Sequence, residues 1–105
     1  MSDALTTVQQ MFLAYQANLN AMLEACKTQP DHDAVVNQYV AVRDSYYACI
    51  GKAFQENDPA LQALDAQAKV ATAALNKINT ELADIAKVIG YATDAAKVAA
   101  KIAAL

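Results

Sequence analysis

Apolar residues return every three or four positions from the start of the chain: Leu5, Val8, Phe12, Tyr15, Leu19, Met22 and Cys26. That spacing puts them on one face of an α-helix, with Met11 and Leu23 widening the stripe. Ser2 or Asp3 can accept from the free N–H groups of a first turn, and Pro30 disfavours helix in the residue before it. Helix one is therefore expected over about 3–28.

In the second segment two adjacent seams run in parallel, Val35, Tyr39, Val42, Tyr46, Cys49, Ala53 beside Val36, Val40, Arg43, Tyr47, Ile50, Phe54. A helix apolar over so wide an arc contacts more than one neighbour, which predicts a central helix over about 32–56, capped by Asp31 and Asp33. Asn57-Asp58-Pro59 then marks a sharp boundary, with Asp58 as N-cap and Pro59 at the first helical position, where its missing N–H costs nothing.

Beyond it the seam runs without a stutter: Leu61, Leu64, Ala68, Ala71, Leu75, Ile78, Leu82, Ile85, Ile89, Ala92, Ala96, Ala99, Ala103. A second stripe appears late, at Val88, Tyr91, Ala95, Val98, Ile102 and Leu105. Read as one helix over about 59–105, this segment reaches roughly 70 Å, against roughly 37 Å for each of the first two. The pattern thus predicts an all-α antiparallel three-helix bundle or coiled coil with a long third helix. A break at Gly90, giving a short fourth helix capped by Thr93 or Asp94, is the alternative; Gly costs only about 1 kcal/mol relative to Ala inside a helix.

Composition agrees with helix. The 105 residues suit a single domain over 1–105; 56% are apolar but only 7% aromatic, and two Gly and two Pro are too few for the turns of a β fold. Net charge is −3 with no basic cluster, so a nucleic-acid partner is not expected. The N-terminus lacks the basic and apolar regions of a secretory signal, and Lys87, Asp94, Lys97 and Lys101 interrupt the most apolar stretch short of a membrane span. The expected compartment is the cytoplasm, with signal-independent export as the alternative.

Few residues offer chemistry. Cys26 and Cys49 would lie roughly 20 Å apart along the expected hairpin, too far for a disulfide, and read as small apolar groups. His32 is the single imidazole, with no second nitrogen or paired thiol, so no metal and no cofactor is expected. Neither a Ser/His/Asp arrangement, a Gly-rich phosphate loop nor a carboxylate pair in an apolar cleft can be assembled, and the expectation is of a non-enzyme. Arg43 on an apolar seam beside Tyr39, Tyr46 and Tyr47 is a possible polar site for an anion or partner; otherwise its stem packs and its head reaches water. Lys87, Asp94 and Lys101 recur every seven residues as a solvated line.

The stretch QPDHDAVVNQYVAVRDSYY, with Pro30, Ala34, Tyr39 and Tyr46, resembles the mid-chain turn of type III secretion needle subunits over under a fifth of the chain. Asp33 stands where those subunits have a second turn proline, and about fifty residues follow where they would end. The resemblance implies an exported helical subunit and carries no functional residue across.

Length decides the functional expectation. The second half of helix three outruns its companions, so Leu82, Ile85, Val88, Ile89, Ala92, Ala95, Ala96, Val98, Ala99, Ile102 and Leu105 are expected to form an interface. The partner would be a second copy, a dimer being favoured, or another helical protein; the chain would act as an adaptor, chaperone-like partner or structural subunit. An amphipathic tail lying on a membrane surface is the rival reading.

Overall fold

The computed structural model describes residues 3–105, so a cap at Ser2 lies outside the described residues. Its helices are α1 (Asp3–Ala25), α2 (Gln29–Cys49), α3 (Pro59–Leu75) and α4 (Ile85–Ala103), with a single 3₁₀ turn at Ile78–Thr80. Among the described residues four α-helices stand where three were expected.

The first boundaries follow from capping. Thr28, extended at φ −128° and ψ 156°, accepts through its hydroxyl from the Asp31 N–H, so α2 starts at Gln29 with Pro30 in its first turn. Asp31 and Asp33, expected as caps, lie within the helix. At its far end α2 stops at Cys49, well short of residue 56. The chain leaves the helix at Ile50, extended at φ −65° and ψ 123°, and Gly51, at a φ of +86° that L residues avoid, completes a turn in which the Lys52 N–H donates to the Cys49 carbonyl. Ala53 and Phe54, placed on the helix-two seams by spacing alone, therefore belong to the connection to α3. Asp58 and Pro59 behave as their types dictate: the Asp58 carboxylate accepts from the Ala60 N–H at 2.9 Å.

The long third helix is the main correction. It is interrupted at residues 76–84, and Gly90 lies inside α4. Asn76, Asn79, Thr80 and Asp84 fall within this stretch, residues whose short polar side chains compete for the backbone and weaken a helix. Thr80 donates its hydroxyl to the Lys77 carbonyl at 2.8 Å, and Asp84 accepts from the Lys87 N–H as the cap of α4.

Magnitudes favour the fold-back. Straightening the turn would recover about four backbone hydrogen bonds, each worth about 1 kcal/mol net. Folding back buries Val88, Val98 and Ile102 to 8% exposure or less, each worth about 1.5–3 kcal/mol, along with Ala92, Ala95, Ala96 and Ala99. Burial wins. It also resolves the mismatch in reach, because α3 and α4 are each roughly 25–28 Å long and fit a bundle 43 Å in extent.

Around the bundle α1 lies between α2 and α3, and α4 also lies between α2 and α3. The α1–α2 pair is antiparallel across its short connection, and the Tyr15 hydroxyl donates to the Val35 carbonyl at 2.6 Å inside it. The α3–α4 pair is likewise antiparallel. On the α1–α3 side, Asn18 donates to the Leu75 carbonyl at 3.2 Å and to the Ala14 carbonyl at 2.8 Å, which satisfies a buried amide and ties the end of α3 to α1. Helices α2 and α3 sit across the diagonal, so residues 50–58 cross one end of the bundle. The core is one cluster, with Tyr15, Met11, Met22, Leu75, Ile78 and Ile102 its largest sealed side chains.

Candidate functional site

The expected interface is mostly inside. Val88, Ala92, Ala95, Ala96, Val98, Ala99 and Ile102 pack in the chain's own core, and Leu82, Ile85 and Ile89 are partly buried against it. Leu105 alone among them is half exposed, at 51%. These side chains recur on one face as spacing required; the surface they meet is that of α2 and α3.

The possible polar site separates into two parts. Tyr39, Tyr46 and Tyr47 gather on Phe12 of α1, with ring centroids 5.7, 5.4 and 6.4 Å from it, and Tyr15 meets Tyr39 edge-on at 5.5 Å. Such pairs contribute about 0.5–1.5 kcal/mol each beyond their area, so this cluster joins α1 to α2. Arg43 turns instead to the neighbouring Asp44, 3.2 Å away, and both are solvent-exposed to a large degree. Tyr15 sits deepest; burial pushes its phenol well above the usual range, and it stays a hydrogen-bond donor.

Cys26 and Cys49 are both free. Burial raises each thiol above its ordinary pKa, and Cys26 donates to the Met22 carbonyl at 3.2 Å. His32 is exposed in the first turn of α2, 3.9 Å from Asp33. Among the described residues no group of His, Cys, Asp and Glu is arranged to hold a metal ion, and no helix is long and apolar enough to cross a membrane.

Between α3 and α4 lies a half-open groove of about 450 Å³ that spacing did not foretell. Its walls are Gln67, Val70, Ala71 and Ala74 from α3, and Tyr91, Asp94, Lys97, Val98 and Lys101 from α4. Small side chains at Ala71 and Ala74 leave the space open. Val70 is 71% exposed on the rim, the most exposed of the large apolar side chains described. Lys97 and Lys101 outnumber Asp94, so the groove carries positive charge on a chain whose net charge is −3. A hint was present in the sequence: Val70 lies off the apolar seam of its helix, one position before Ala71.

At one end the groove abuts a polar clasp. Lys87 lies 3.4 Å from a Glu81 oxygen, tying the turn to α4. The Tyr91 phenol, followed by Lys87, holds the Glu81 carboxyl below its usual range. Reciprocally, Glu81 raises both Tyr91 and Lys87.

Compared with protein-family models, with curated proteins and with solved structures, the chain matches none.

Proposed function

We propose that this chain is a small helical interaction protein, an adaptor, chaperone-like partner or structural subunit, whose α3–α4 groove receives an acidic amphipathic helix from its partner. The observation that carries the reading is Val70: a β-branched aliphatic residue 71% exposed in mid-helix, beside a groove floored by Ala71 and Ala74. Leaving it uncovered forfeits most of the roughly 1.5–3 kcal/mol its burial can supply. A docked helix places apolar side chains over Val70, Ala71, Ala74 and Val98, while its acidic flank meets Lys97 and Lys101. Binding, not catalysis, is the role this lining suits. The interface moves from the inward face of α4, where the periodicity alone had put it, to the outer seam between α3 and α4. A membrane-surface role gains less support, since the apolar face of α4 is turned inward.

The test uses an isotope-labelled chain titrated with a synthetic amphipathic helix of Leu, Ala and Glu. Saturable amide shifts confined to 67–74 and 91–101 are expected, weakened by Val70→Asp and by Lys97→Glu with Lys101→Glu, and absent for a Lys-flanked peptide. Shifts scattered over the bundle, or equal for both peptides, would overturn it.

A further inference from the structure

We infer that α4 is an exchangeable arm: the turn at 76–84 can straighten so that α4 of one copy takes the place of α4 in a second copy, giving a reciprocal dimer. This inference rests on the turn and does not depend on the groove reading.

Three observations meet there. The apolar seam holds its three–four phase straight through the turn, Leu75, Ile78, Leu82, Ile85, Ile89, although the helix does not. A loop that existed only to reverse the chain has no need of that phase. The nine residues of the turn contain neither Gly nor Pro, and the only positive φ among the described residues is at Gly51. Straightening therefore asks no residue to leave or enter a left-handed conformation. Finally, part of what holds the bend is local: the Thr80 hydroxyl on Lys77, the Asp84 cap, and the Lys87–Glu81 ion pair.

The straightened form supplies its own interface. Two chains crossing antiparallel with the two-fold axis at Thr80 set Leu75 against Ile85 of the second copy and Ile78 against its Leu82. Every pairing is apolar on apolar. Ile78, fully buried in the closed chain, loses its packing on α1 and regains cover from that Leu82. The core contacts of Val88, Ala92, Ala95, Val98, Ala99 and Ile102 are reproduced against α2 and α3 of the other copy, so exchange sacrifices little.

The experiment refolds the full chain at high concentration, separates species by size-exclusion chromatography with light scattering, and measures one intrachain distance. Ala66→Cys and Ala100→Cys carry nitroxides in a Cys26→Ala, Cys49→Ala background, diluted into excess unlabelled chain. Both positions are exposed and adjoin in sequence the groove residues Gln67 and Lys101, so they lie at the same end of the closed hairpin. In the dimer they should separate to roughly 50 Å, thirty-four residues of continuous helix. Replacing Asn76, Asn79 and Thr80 together by Ala should raise the dimer-to-monomer ratio on the order of tenfold. Thr80→Pro, or Asn79→Gly should the proline variant not fold, should abolish the dimer while the helical signal persists. A triple-Ala variant no more dimeric than the parent, or a dimer that keeps the short distance, overturns the inference.

Discussion

Ile102 and Leu105 share one stripe of the sequence, three residues apart, yet the fold treats them oppositely. Ile102 is fully buried and Leu105 is 51% exposed. Truncating Ile102 to Ala removes buried carbons at a site enclosed by neighbouring helices, where collapse is limited, so the cost is about 2–5 kcal/mol. Leu105 lies one residue past the C-cap Ala104 of α4, already half in water, and Leu105→Ala should cost under about 1 kcal/mol. In a domain of this size each kcal/mol lowers the melting temperature by about 4–8 °C, so the Ile102 variant should melt at least about 8 °C lower. Urea unfolding by circular dichroism, repeated over a wide range of protein concentration, reads the difference. The midpoint of the monomer should also be independent of concentration, because Ile102 is sealed by its own chain. Equal losses for the two variants would refute it. So would an Ile102→Ala protein that changes its association state while keeping its stability.

The two glycines should respond with opposite signs. Gly51→Ala meets no steric neighbour but forces a side chain into φ +86°, costing about 1–2 kcal/mol; Gly90→Ala, mid-helix with open space at its Cβ, should gain up to about 1 kcal/mol, and thermal melts of the pair decide both. The clasp makes acid a selective stress. Because Glu81 titrates below its ordinary value of 4.5 when folded, it favours the native state above that value, and the contribution fades as pH falls through the lowered pKa. Glu81→Gln should flatten the acid limb of the stability curve in that window, measured by urea midpoints from neutral pH downward; an unchanged acid limb would show that the clasp is energetically silent.

Helix class, the Asp58-Pro59 start of α3 and the inward stripes of α1, α3 and α4 were legible because they depend on local chemistry and periodicity; on α2 only the first seam is buried, and Tyr47 and Ile50 of the second are more than half exposed. Thr28 as the cap of α2 was less so, since Asp31 and Asp33 have equal intrinsic claims and the choice is settled by where the α1 chain ends. The left-handed Gly51 was a readable signal for the end of α2 that the apolar seam through Phe54 outweighed. The fold-back failed for a deeper reason. An unbroken seam says which side chains share a face, but it is blind to whether the helix bends where the phase is preserved. Four weak helix formers at Asn76, Asn79, Thr80 and Asp84 were the local clue, and the decisive term was burial against α2, a partner about fifty residues away. The groove at Val70 was harder still, because it comes into being only when α4 lies beside α3.

The connection at 50–58 has a consequence for synthesis. By crossing the diagonal it gives α2 its most extensive neighbour in α4, a helix translated only after α3. The α1–α2 hairpin can form early around Tyr15 and Phe12, yet it leaves the ribosome with one flank bare until Ile102 has emerged. Nascent chains halted before α4 is clear of the ribosome should therefore be sticky, protease-sensitive clients of the holding machinery, with the flank of α2 still bare.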